Sequence, residues 1–445
     1  MTWWIVIAFF VGYLCIALES ITRVDKAAVA LLMAVSCWVL CFVGGVTTTG
    51  NISLEFTEQL GETCEIIFFL MGAMTIVECV DTYGGFNFVR ERMLTRSKRS
   101  MLWRISLITF FLSSVLDNLT TAIVMIMVLR KLVTERQERI LLSCMVIMAA
   151  NSGGAFSPIG DVTTIMLWVK GNVSTLGVME GLFLPALVSV LVPTLLLQRF
   201  FKGELQVDGA GEAHTAVPRN LSKHVRHSVF YIGVGGLLSV PVFRMLTGLP
   251  PFMGILLVLA ALWVYTELMF RRREEECGCK PLMKMRVQEL LHRIDLSTIL
   301  FFLGILMAVS ALAQTGFLRT MGEGLNAVSD GNPYLVTGMI GLFSAVIDNV
   351  PLVAACMSMY DVVALPDAIT PEVLHYVVDG AFWELLAYSA GVGGSMLIIG
   401  SAAGVAVMSL ENITFGWYLR NFSLYALLGY LAGMAVYALQ AFLTT

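Results

Sequence analysis

Three carboxylates stand where a carboxylate is costly. Asp117, Asp161 and Asp348 each lie inside a long apolar run. Burying one charged group at mid-membrane depth costs roughly 2.5–3.5 kcal/mol on insertion scales. Amides and hydroxyls surround them. Asn118, Thr120 and Thr121 follow Asp117; Asn151, Ser157 and Thr163 bracket Asp161; Ser344 and Asn349 flank Asp348; Ser389, Ser395 and Ser401 stand in a fourth, glycine-rich segment. No Lys or Arg accompanies them in these segments. An oxygen-rich, net acidic set suits a hard cation such as Na+ or Li+, and a carboxylate that binds a cation can bind a proton instead. An anion site would show Arg, Lys or converging N–H groups. Asp-Asn at a turn is also a good N-cap for the helix that follows, and the two roles are compatible.

Such groups need a scaffold that keeps them away from bulk water. The chain has 445 residues, of which 58% are hydrophobic and 13% charged; soluble domains carry about 25% charged residues. Mean hydropathy is +0.82, and the net charge of −4 gives no sign of a nucleic-acid partner. Ten apolar runs have the length needed to cross a bilayer: 3–18, 27–46, 62–80, 140–169, 178–197, 229–246, 252–270, 296–313, 371–410 and 417–443. Two more, 102–133 and 334–363, are interrupted in the middle by LDNLTT (116–121) and IDNVP (347–351). The runs at 140–169 and 371–410 are likewise broken, by NSGGAFSPIGD (151–161) and SAGVGGS (389–395). Irregular backbone at membrane depth is tolerated only where protein or a water-filled cavity covers it. The four breaks are therefore where a site is expected.

Lysine and arginine give the orientation. They gather at Arg23 and Lys26 and over 90–104, 130–139, 199–226 and 271–293, whereas 47–61, 171–176, 247–251 and 359–371 have none and 317–333 has one. Residues 102–133 have basic flanks at both ends, so they read as a re-entrant hairpin from the cytoplasmic side with Asp117 near its tip. Residues 334–363 read as a hairpin from the opposite side with Asp348 near its tip. The chain also repeats itself. SSVLDNLTTAIVM (113–125) resembles FSAVIDNVPLVAACM (343–357), and NSGGAFSPIGDVTTIM (151–166) resembles SAGVGGSMLIIGSAAGVAVM (389–408), with Asp161 opposite Ser401. The expected fold is an all-α polytopic membrane protein. It has two inverted repeats (1–203 and 229–445) joined by a cytoplasmic linker (204–228), each with five crossings and one re-entrant hairpin, and discontinuous helices at the site. Inverted repeats with broken helices are a secondary-transporter architecture. Glu65, Glu78 and Glu384 are lesser candidates for the site.

LDNLTT, NSGGAFSPIGDVTT, SAVIDNVPLVAA and GGSMLIIGSAAGVA together resemble the NhaD-type sodium/proton antiporters. These belong to a wider superfamily that also holds arsenite permeases and dicarboxylate and citrate carriers. The resemblance spans about 65–410. It implies Na+(Li+)/H+ exchange without a cofactor or enzymatic step, a multi-pass protein of the bacterial inner membrane, a homodimer, and an elevator-like movement. By motif it points to Asp117, Asn118, Asn151, Asp161, Thr163, Ser344, Asp348 and Asn349. The dicarboxylate relatives carry Ser-Asn-Thr at the hairpin tips; Asp in place of that Ser favours a cation. A sodium-coupled anion or organic-acid permease of the same superfamily is the alternative.

Overall fold

A computed structural model describes residues 2–17, 24–48, 50–85, 92–93, 95, 97–204, 223–277, 286–346, 348–364 and 373–444. Arg23, Arg90 and most of the 204–228 linker lie outside the described residues. The protein is all-α and polytopic. Among the described residues there are nineteen α-helices: α1 Thr2–Ala17, α2 Lys26–Gly44, α3 Ile52–Thr82, α4 Lys98–Ser113, α5 Asn118–Leu132, α6 Arg136–Ala155, α7 Val162–Lys170, α8 Thr175–Leu197, α9 Lys223–Thr247, α10 Pro251–Cys277, α11 Val287–Leu291, α12 Leu296–Ala313, α13 Phe317–Ser329, α14 Pro333–Ser344, α15 Asn349–Met359, α16 Ala381–Gly393, α17 Ala402–Glu411, α18 Phe415–Asn421 and α19 Ser423–Thr444. Seven of these (α2, α3, α8, α9, α10, α12 and α19) are long and apolar enough to cross a membrane by themselves. The shorter apolar helices include α1, α14 and three that follow a break, α5, α15 and α17.

An interruption lies near each of the four expected places, but two are shifted: Asn151–Ala155 and Ser389–Gly393, expected in the breaks, are still helical, so these breaks lie at 156–161 and 394–401. Helix α4 ends at Ser113 and α5 starts at Asn118; α6 ends at Ala155 and α7 starts at Val162; α14 ends at Ser344 and α15 starts at Asn349; α16 ends at Gly393 and α17 starts at Ala402. Other boundaries move. Helix α3 begins at Ile52, ten residues before the expected 62, because Glu55, Glu58, Gln59 and Glu62 dilute the hydropathy of its first turns. Glu55 is nonetheless buried, accepting hydrogen bonds from the Thr47 and Thr48 hydroxyls at 2.8 Å each. The segment 317–333, expected as a loop, contains α13. Its single apolar face packs on α15, where the Tyr360 hydroxyl donates to Asn326 Oδ1 at 3.1 Å. The run expected from 371 starts as a 3-10 turn, Val373–Tyr376, and becomes α-helical only at Ala381.

Most of the helices pack in two groups, which meet where α12 packs on α15 and α3 on α7. One holds α1, α2, α3, α9, α10 and α12; the other holds α4 to α8 and α14 to α19, drawn from both halves of the chain. Within the second group the same contacts occur twice. Helix α4 lies along α6 as α14 lies along α16. Ser113 Oγ donates to Ala150 O at 2.6 Å, and Ser344 Oγ donates to Ala390 O at 2.7 Å. Backbones meet at both crossings. A Cβ on Gly153 would lie 2.1 Å from Phe110 O, and one on Gly393 would lie 2.4 Å from Gly341 O. Neither carbonyl can give way as a flexible side chain would. Gly153→Ala is accordingly expected to destabilise the chain by about 1–3 kcal/mol or more through overpacking. A lower unfolding temperature of the purified variant would report it, and an unchanged one would mean that the α4–α6 crossing is looser than this.

Candidate cation site

Three of the four breaks, α4–α5, α6–α7 and α16–α17, converge on one polar cluster. Asp161 is the residue before α7, with extended backbone, and its side chain makes no capping bond to that helix. It is buried, as are Asn118, Asn151, Thr163, Ser395 and Ser401. Asp161 Oδ1 accepts from Asn118 Nδ2 at 3.2 Å, and Oδ2 accepts from the Thr163 hydroxyl at 3.0 Å. Asn118 Nδ2 also donates to Asn151 Oδ1 at 3.2 Å. Asn151 Nδ2 then reaches the other half of the chain, donating to Ser395 Oγ and Ser401 Oγ at 2.9 Å each. Gly391 of α16 faces the carboxylate, with room for a Cβ only 3.0 Å from Asp161 Oδ2. Two neutral side chains, Asn118 and Thr163, thus bond the buried acid, and Asn151, Ser395 and Ser401 extend the network outward from Asn118. Among the described residues no Lys, Arg or His lies within ion-pair distance of Asp161 or Asp117.

The structure separates capping from this cluster. Asp117 Oδ1 accepts from Thr120 N at 2.8 Å and so caps α5; Asp348 Oδ1 accepts from Val350 N at 3.3 Å and caps α15; Ser401 Oγ accepts from Gly404 N at 3.1 Å and caps α17. Asp161, the counterpart of Ser401, makes no such cap bond and turns instead to the Asn118 amide and the Thr163 hydroxyl. Capping therefore accounts for Asp117 and Asp348 in part and does not account for Asp161. Asp117 sits next to the cluster in the chain, and with Asn118 it lines a void of about 50 Å³ walled by Phe69, Leu70 and Val162. Thr121 is buried, and among the described residues its Oγ1 has no hydrogen-bond partner, which is uncommon for a buried hydroxyl.

Other sequence candidates stand apart from the cluster. Ser157 Oγ donates to Ser114 O at 2.5 Å and ties the break between α6 and α7 to the end of α4. Ser344 braces α16 through Ala390. Ser389 Oγ accepts from the Tyr430 hydroxyl at 3.1 Å, on the side of α16 packed against α19. Asn349 is buried and follows Asp348. Thr120 is half-buried and supplies the N–H that Asp117 caps. The expectation that no base accompanies the acids fails at Asp348. Lys26, from the start of α2, places Nζ 3.8 Å from Asp348 Oδ2. At that separation Coulomb attraction is roughly 4 kcal/mol for an effective dielectric near 20, before desolvation is subtracted. Hydropathy reading treats Lys26 only as an orientation marker, and nothing in its neighbourhood signals a partner so far along the chain.

Among the lesser candidates, Glu384 is buried and accepts from the Tyr437 hydroxyl at 2.7 Å, while Glu78 pairs with Arg293 at 3.4 Å. Glu411, at the end of α17, carries no motif that marks it in the sequence. Its side chain is 1% exposed and accepts from Arg130 Nε at 2.8 Å and Arg139 Nε at 2.9 Å, tying α17 to α5 and α6. A larger cavity of about 320 Å³ opens among α3, α7, α12 and α15; it is lined by Thr63, Asn172 and Ser310 and by the ion-paired Glu62 and Lys170, not by the aspartates.

Comparison with known proteins gives the family. The family model described as "Citrate transporter" matches residues 13–378. The chain is 42% identical over 434 residues to sodium/proton antiporter 2 of Arabidopsis thaliana, covering 96% of this chain and 97% of that one. It is 45% identical over 430 residues to sodium/proton antiporter 1 of the same plant, covering 96% of this chain and 71% of that one. To the Na(+)/H(+) antiporter NhaD of Vibrio cholerae serotype O1 it is 30% identical over 455 residues, covering 97% and 90%. These relatives come from a plant as well as a bacterium, so kinship alone does not assign the chain to a bacterial membrane.

Proposed function

Because the chain belongs to the NhaD-type sodium/proton antiporter family, we propose that it is a secondary transporter exchanging Na+ and Li+ for H+ across its membrane. The observation that carries this is Asp161: a buried carboxylate held by the Asn118 amide and the Thr163 hydroxyl and lacking an ion-paired base among the described residues. A buried acid without a fixed counter-charge is stable only when it holds a cation or a proton. Asp161 with Asp117 is our candidate for binding one or the other. Cation binding drives the proton off, and protonation drives the cation off. A site loaded either way crosses at lower cost than a bare one, which is the requirement for tight exchange.

The recurring contacts of α4–α6 and α14–α16 support reading the two halves as inverted repeats with opposed hairpins. The two packing groups suit an elevator-like movement of the site-bearing group against the other. A homodimer built on the group that stays fixed is consistent with that division.

The alternative, a sodium-coupled organic-acid permease, has one observation in its favour, the presence of Lys26 near a hairpin tip. Its charge faces Asp348 rather than open space, which leaves little to attract a carboxylate substrate. The separating experiment follows a pH gradient in proteoliposomes during addition of NaCl, LiCl, KCl or citrate. Dissipation by Na+ and Li+ and not by citrate is expected. Citrate-dependent sodium uptake without proton movement would replace the exchanger with the permease. Within the same assay Asp117→Asn is expected to lose exchange while remaining folded, and normal activity would remove Asp117 from the site.

A further inference from the structure

The two hairpin tips are alike in sequence and unlike in charge balance. Asp117 and Asp348 are each followed by Asn, and each accepts a hydrogen bond from the helix it starts. Asp117 is adjacent to the Asp161 cluster through Asn118, and neither acid has an ion-pair partner among the described residues. In the second half the position of Asp161 is taken by neutral Ser401, and Asp348 faces the Lys26 ammonium at 3.8 Å. That ammonium also lies 4.5 Å from the centroid of the Phe301 ring. A carboxylate and an aromatic face hold it together, an arrangement that favours a cation. The two side chains are 28% and 23% exposed, so both are largely withdrawn from solvent. The supports are structural: Lys26 begins α2, α2 packs along α12, α12 carries Phe301, and α12 packs on α15, whose N-cap is Asp348.

A carboxylate in such a place needs a balancing cation, which can be mobile or covalently attached. Building on the exchange reading above, we propose that the Lys26 ammonium fills, as a tethered cation, the place at the second tip that a transported ion fills at the first. Each chain then has a single transported-cation site. The first half exchanges its counter-ion, and the second half carries its own. Lys26 is in this account not a ligand of Na+ but the residue that sets how many cations move per cycle.

The test is the zero-flux point of the reconstituted full-length chain. Net exchange stops when the sodium and proton gradients balance at a power set by the coupling ratio, whatever the turnover rate. Lys26→Met and Lys26→Gln are expected to shift that point by one cation per cycle, Lys26→Arg to leave it in place, and Lys26→Met with Asp348→Asn to restore it. A salt bridge that only braces the fold would alter the rate and not the zero-flux point, so an unshifted point in active Lys26→Met overturns the proposal. If the neutral variants do not fold, calorimetric titration of the wild-type protein with NaCl decides: one Na+ per chain is expected, and two would overturn it. Absence of both sodium-driven proton flux and sodium binding in the wild type would instead defeat the exchange reading itself, a result distinct from either of these.

Discussion

Asp161→Asn is expected to abolish sodium-driven proton movement in a chain that still folds and inserts. Asparagine has the same shape, and its carbonyl oxygen can still accept from Asn118 Nδ2 or Thr163 Oγ1. It cannot carry negative charge or exchange a proton. Loss of a charged ligand in a water-poor site costs about 3 kcal/mol, which corresponds to on the order of 100-fold or more in the affinity that drives turnover. Ser395→Ala removes one neutral acceptor of Asn151 and is expected to act much more weakly, since Ser401 still accepts from the same nitrogen. Initial rates of the two variants in one vesicle preparation, normalised to inserted protein, make the comparison. Equal rates would mean that the charge of Asp161 is not what binds the ion.

The largest expected effect on stability lies away from the site. Glu411→Ala leaves Arg139, 18% exposed, and Arg130, 40% exposed, facing a buried space that the carboxylate filled. Breaking a buried pair by removing one partner costs about 3–5 kcal/mol; the exposure of Arg130 puts the value near the lower end. Arg130 also reaches Leu410 O, and Arg136 donates to Asn412 O at 3.3 Å, so the C-terminal end of α17 has other ties that remain. Thermal unfolding in detergent should show Glu411→Ala melting well below wild type, with Arg130→Ala falling between them. Equal melting of all three would mean that the clamp contributes nothing beyond what the remaining contacts supply.

Much of this was legible in the residues alone because the membrane makes polar groups conspicuous. Asp117, Asp161 and Asp348 interrupt apolar runs, and each break falls at or beside an aspartate or a glycine cluster. What stayed hidden has identifiable causes. Helix α13 is amphipathic, so a hydropathy window sees a polar loop. The first turns of α3 are masked by acids that the fold buries or pairs, Glu55 with threonines and Glu62 with Lys170. Lys26 with Asp348, and Arg130 and Arg139 with Glu411, join distant parts of the chain. No local pattern links such residues. The convergence of Asn151 on Ser395 and Ser401 is of the same kind. The internal repeat aligns these segments as counterparts and says nothing of their meeting in one cluster. Ser344 and Ser389 show the converse, being selected by motif and placed by the structure on backbone and packing contacts.

The central claim is that cation and proton compete for the Asp161 cluster. Sodium binding to the purified wild-type protein, measured by calorimetry at several pH values in buffers of different ionisation enthalpy, tests it most directly. The account predicts that each Na+ bound releases protons, that apparent affinity weakens as pH falls, and that both effects vanish in Asp161→Asn. Sodium binding of constant affinity across that range, or binding that survives intact in Asp161→Asn, would contradict it.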